Sequence, residues 1–160
     1  MTSTVATRLT RRGVLMLALI LILPTTVHAA LGGDAASVDA DRVRIQGALM
    51  RIVRNDSYAL HEIRSAAGTM IREYVSPSGT VFAVVWQGPW IPDLRQVLGA
   101  HFDQYQTAMR GARRERKARG LVAIDGPDLV VQMSGHPRSF FGRVYVPALL
   151  PQGVQVDAIK

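Results

Sequence analysis

Six consecutive apolar residues, Val81-Phe82-Ala83-Val84-Val85-Trp86, stand between two turn signals. Ahead of them, in "SPSG" (76–79), Pro77 presets φ at the second turn position and Gly79 supplies the freedom to re-enter a strand. Behind them Gly88-Pro89 stops the run, because proline has no donor for a strand ladder. A strand with one wet face alternates apolar and polar residues; a strand apolar on both faces is central and covered on both sides. The fold must therefore bring one layer of chain to each face of 81–86.

The neighbouring patterns predict what those layers are. Pro92 and Asp93 suit a helix start, and Leu94, Val97, Leu98, Phe102 and Tyr105 then mark one face, with Arg95, Gln96, Asp103 and Gln104 opposite. This predicts an amphipathic helix over 93–110. Strand-like runs occur at Tyr58–Arg64, Thr69–Val75, Leu121–Ile124, Leu129–Met133 and Phe140–Val146, separated by the turn sequences "SAAGT", "DGPD" and "SGHPRS". Nearer the start, Ser37 can cap, Asp39 and Asp41 sit in a first turn, and Val38, Ile45, Leu49 and Ile52 recur at helical spacing. That spacing predicts a helix over 38–50, with a strand over Met50–Arg54 as the alternative. Together the patterns predict an α+β fold: antiparallel β-meanders packed against one principal amphipathic helix, with an N-terminal helix. The expected layout is a flexible stretch over 30–37, a single domain over 38–150 and a tail over 151–160.

The first 29 residues read as a cleaved secretory signal peptide. Arg8, Arg11 and Arg12 make a positive start, Val14–Leu23 is unbroken apolar chain, and Val27 and Ala29 are small residues ahead of a cut near Ala29 or Ala30. The ten-residue run covers about 15 Å as a helix, half of a hydrocarbon core of roughly 30 Å, so it is too short for an anchor. "TRRGVL" (10–15) resembles a twin-arginine signal, while the strongly apolar run suits the ordinary unfolded route. The expected location is periplasmic or secreted. Three of the surplus positive charges in the net +7 belong to this leader, so the overall charge does not imply a nucleic-acid partner. The anions met outside the cytoplasm are lipid head groups and acidic polymers. With no cysteine, the fold stands by packing alone, and thiol catalysis, iron–sulfur clusters and thiolate zinc sites are excluded.

The segments "HEI", "REYVSPSGTVFAVVWQGPWIPDL", "LGAHFDQY" and "GRVYVP" resemble an uncharacterised family of exported bacterial proteins, domain of unknown function 2844. The resemblance spans about Leu31 to Lys160. It implies an exported protein of a Gram-negative bacterium, and it implies no activity and no site residue.

The residues themselves offer few chemical candidates. "HEIRS" opens like a zinc-protease helix, but Ser65 stands where the second histidine belongs and the segment reads as a strand. Glu62 and Glu73 suit cross-strand partners of Arg64 and Arg72 better than a catalytic pair. There is no G-x-S-x-G elbow, no S-x-x-K and no Gly-rich phosphate loop, so no cofactor is expected. A small hydrolase would have to bring His101, His136 or Glu73 into one pocket. The run "RGARRERKARG" offers Arg110, Arg113, Arg114, Arg116, Lys117 and Arg119 to an anionic membrane or polysaccharide surface; a solvated loop is the plainer reading. Interleaved aromatics that would stack on bases are absent from it. Trp86 is expected in the core, and Trp90 either covers the sheet end or stands exposed as a ligand platform. The leading expectation is an exported, non-enzymatic binding or structural module.

Overall fold

In the computed structural model, which describes residues 31–34, 38, 39, 42, 43, 46–114 and 122–160, seven strands form one sheet. The strands are β1 (Ala48–Arg54), β2 (Ala59–Arg64), β3 (Met70–Val75), β4 (Val81–Gly88), β5 (Val122–Asp125), β6 (Val130–His136) and β7 (Ser139–Tyr145). Their order across the sheet is β1-β2-β3-β4-β7-β6-β5, and every neighbouring pair is antiparallel. The first four strands make one meander. The chain then crosses to the far edge, and the last three strands return as a second meander that closes against the first along β4 and β7. The apolar strand is thus the fourth of seven, as its two-faced composition requires.

The crossing segment is helical. Asp93 caps α1 (Leu94–Leu98), its carboxylate accepting the Arg95 N–H at 2.9 Å. A 3₁₀ turn over Gly99–His101 follows, and then α2 (Phe102–Arg114). The single helix expected over 93–110 is therefore two helices. They are separated at Gly99, whose φ of 48° lies in the region that favours glycine.

One sheet face buries Ile63, Ile71, Val84, Trp86, Val131 and Val144 beneath Val97 and Leu98 of α1. Leu31 and Val38 join this cluster. The stretch expected to be flexible over 30–37 is tied down where it is described. Leu31 donates to the Val97 carbonyl (3.1 Å), Gly32 to the Val81 carbonyl (2.8 Å), and Val81 returns a bond to Gly33 (2.9 Å). Residues 30 and 35–37 lie outside the described residues.

The opposite face is covered by the segment expected to be a tail. Tyr74, Phe82, Ala83, Val85, Val130 and Tyr145 cluster with the fully buried Ile159, and Leu149, Leu150, Val154 and Val156 pack around them. The Tyr74 hydroxyl donates to the Lys160 carbonyl (2.8 Å) and accepts the Lys160 N–H (3.1 Å). Arg143 Nη1 donates to the carbonyls of Val156 and Ile159, both at 3.1 Å. Residues 147–160 are thus the second layer that β4 demands.

The helix expected over 38–50 is not shown as one element: 38, 39, 42 and 43 are helical, 48–50 are strand, and 40, 41, 44 and 45 lie outside the described residues. Its C-terminal part reads as helical because of a bulge between Leu49 and Arg51. It sets Leu49 opposite Ile63 and Ile52 opposite His61, two positions on the same face of β2. A three-residue interval that reads as helical is here produced by a strand with one extra residue. Residues 1–30, which hold the expected leader, lie outside the described residues.

Candidate functional site

β4 ends at a corner that holds its backbone rigidly and leaves its side chains outside. Gly88 runs against Thr69: a Cβ at residue 88 would lie 2.6 Å from the Thr69 Cα, so only glycine permits this approach. The buried Thr69 hydroxyl then grips the residue after Pro89 twice, donating to the Trp90 carbonyl (2.8 Å) and accepting the Trp90 N–H (3.3 Å). Pro89 and Pro92 restrict the backbone on either side. The Trp90 residue nevertheless stays 61% exposed and Ile91 46% exposed. Trp86, four residues earlier, is fully buried.

The sheet face that carries the C-terminal segment holds a second feature. One cross-strand row reads Arg51, Glu62, Arg72, Val85, Arg143 and Gln132, from β1 to β6. The row nearer the C-terminal cover is Leu60, Tyr74, Ala83, Tyr145 and Val130; the row on the other side is Arg64, Met70, Gln87, Phe141 and Ser134. Half of this face is thus apolar and covered, and half is polar. In the polar half Glu62 is clamped by two arginines: Arg51 Nε donates to Oε2 at 2.9 Å and Arg72 Nε to Oε1 at 3.0 Å. These two hydrogen bonds, led by that from Arg72, hold the Glu62 carboxyl below its ordinary range. Arg143 uses Nε and Nη2 on Gln132 (3.2 and 2.6 Å) and Nη1 on the C-terminal segment, so it is a fastener.

The other sequence candidates scatter. Glu73 is 5% exposed and lies on the helix-side face, opposite His61 and Val84, not beside the arginines of its neighbouring positions. His61 is held below its ordinary value by burial and by Arg54, against the pull of Asp39. His101 sits in the 3₁₀ turn, with Nε2 near Gly32. His136 ends β6 in an exposed hairpin. By register His136 is five residues along and three strands away from Glu73, roughly 20 Å, so these two do not meet in one pocket. Among the described residues no three His, Asp or Glu side chains are grouped as a metal ion's ligands would be.

A hollow of about 220 Å³ lies along α2, lined by Phe102, Tyr105, Gln106, Met109 and Arg110. Arg110 is exposed there, at the start of the basic run. Arg113 and Arg114 fall in the last turn of α2; Arg116, Lys117 and Arg119 lie outside the described residues. No helix among the described residues is long and apolar enough to cross a membrane.

The sequence marks Trp90 but not the Thr69 hydroxyl that holds its backbone, and it suggests a Glu62–arginine pair but not the double clamp. The turn at 65–69 is the available signal for the clamp, since counting outward from it sets Arg64 opposite Met70 and Glu62 opposite Arg72. No curated protein and no solved structure matches the chain. A family model described as "Protein of unknown function (DUF2844)" matches residues 27–159, which is most of the chain, and the chain belongs to that family.

Proposed function

We propose that the chain is an exported, non-enzymatic binding module of the periplasm, whose contact surface centres on the Trp90 corner. One observation carries the reading: an indole with 61% of its residue exposed stands on a backbone held at both its N–H and its carbonyl by a buried hydroxyl. A large aromatic in water gains nothing for folding, and an indole on a fixed backbone has only two side-chain rotations to lose when a ligand covers it. Tryptophan is among the residues that most often anchor binding surfaces. The separation of His136 from Glu73 weighs for binding over hydrolysis. Export is supported by the charged start, the short apolar run and the small residues before Ala30, and the family match begins at residue 27, near that cut.

Two experiments test the reading. Cell fractionation with N-terminal sequencing is expected to find the protein in the periplasm, beginning at Ala30 or Leu31; an intact chain in the cytosol overturns export. Sedimentation with isolated envelope fragments is expected to retain the wild type and to lose Trp90→Ala, with thermal unfolding unchanged. Equal sedimentation of the two overturns the role of the corner.

A further inference from the structure

Three arginines surround one carboxylate on the open half of the sheet. Arg51 and Arg72 flank Glu62 on its two neighbouring strands, and Arg64 lies two residues along β2 on the same face. The backbones of Arg51 and Arg72 are therefore about 10 Å apart, with Arg64 about 7 Å from Glu62. Glu62 satisfies only one charge of the three, and only through Nε of each partner. Among the described residues the terminal nitrogens of Arg51 and Arg72 have no protein acceptor, and Arg64 is exposed. A guanidinium held through Nε keeps its two terminal nitrogens as a fork that can receive a carboxylate bidentately. Arg64 ends β2 and Met70 opens β3, so the turn between them carries Thr69, the residue that fixes Trp90. Of the cluster, Arg64 thus lies at the end of the sheet that carries the exposed indole, with Arg72 and Arg51 farther along and across the strands.

We propose that this open half of the sheet seats a carboxylated polysaccharide: a uronic-acid chain whose carboxylates are taken by Arg51, Arg64 and Arg72 and whose sugar rings stack on Trp90. The inference rests on the binding-module reading above and names its ligand class. Charge complementarity selects a polyanion. The setting favours a chain over a bilayer, because the cluster mixes depths: the Arg51 side chain is 63% exposed and Arg64 is exposed, while the Arg72 side chain is only 28% exposed. A flat membrane meets only the groups that protrude, whereas a strand of polymer can also reach Arg72 against the sheet. Carboxylates spaced along a polymer meet arginines spaced across strands, and the indole offers an apolar plane to the C–H face of a ring.

The test titrates the purified protein with polygalacturonate, with its fully methyl-esterified form, and with vesicles of phosphatidylglycerol in phosphatidylcholine, following tryptophan fluorescence. Polygalacturonate is expected to bind, to weaken as salt rises, and to outbind the ester at least tenfold. Arg64→Gln, at an exposed position, is expected to lose about tenfold in affinity, as one charge-assisted contact is removed. Glu62→Gln keeps the shape, removes the internal competitor and is expected to bind several-fold more tightly. Equal binding of acid and ester, vesicle binding without polygalacturonate binding, or unchanged affinity in both variants overturns the proposal. If Trp90→Ala loses envelope sedimentation while polygalacturonate does not bind the wild type, the polysaccharide falls and the corner stands. If Arg64→Gln weakens polygalacturonate while Trp90→Ala sediments normally, the cationic seat stands and the corner falls.

Discussion

The six-membered ring of Trp86 occupies the space in which Gly142, its cross-strand partner on β7, would carry a side chain. This contact joins the two meanders at the middle of the sheet. The indole needs a bare backbone beside it, and β7 supplies one.

Gly142→Ala places a methyl group inside the indole ring, so either the ring or the β4–β7 ladder must move. Overpacking of this kind is expected to cost about 3 kcal/mol. Urea unfolding followed by the buried Trp86 measures it, and an unchanged midpoint would mean that β4 and β7 pair in another register.

Thr69→Val keeps the volume at the corner and removes the hydroxyl that holds both polar groups of Trp90. The loss is expected to be about 1–2 kcal/mol of stability. Acrylamide quenching and fluorescence anisotropy are expected to show a more mobile Trp90, with the buried Trp86 unaffected.

Ile159→Ala removes the fully buried residue by which the C-terminal segment is pinned to the sheet. It is expected to cost about 2–4 kcal/mol. Hydrogen exchange should show faster exchange at the Lys160 amide, which bonds to Tyr74, than in the wild type.

Two titrating groups give the stability a slope on the acid side. Glu62 is held below its ordinary value of 4.5, chiefly by its hydrogen bond from Arg72, so its contribution is complete above that value and is lost as pH falls through its folded value. His61 is held below 6.5 by burial, so the unfolded chain takes up its proton first and stability declines as pH falls below 6.5, until the folded protein is protonated too. Urea midpoints measured between pH 7 and pH 3 are expected to fall in both windows. His61→Gln should remove the upper decline and Glu62→Gln the lower.

Much of this fold was legible because its signals are local. The apolar run at 81–86 required two covers, the turn sequences bounded β2, β3, β6 and β7, and Asp93 marked the start of the helix. The misread elements are those whose local signal belongs equally to another structure. Leu49 and Ile52 are three residues apart, as on a helix face, and the bulge in β1 produces the same alignment on a strand. Gly99 interrupts an otherwise consistent helical stripe, and the stripe alone does not reveal the break. For the candidate site, Trp90 was visible as a large aromatic in a proline-flanked turn, but the hold on its backbone comes from Thr69, twenty-one residues away.

From the chain alone it followed that residues 81–86 must be central and buried on both faces, because no strand of that composition can face water. Which segments bury them was decided only in three dimensions. One cover is the helical stripe of α1 and the start of α2, which announces itself by its period. The other is Leu149, Leu150, Val154, Val156 and Ile159, an irregular scatter whose burial arises when Arg143 and Tyr74 bind its carbonyls. The row of arginines around Glu62 has the same origin: strand register sets Arg51 and Arg72 beside Glu62, which the sequence keeps 11 and 10 residues away.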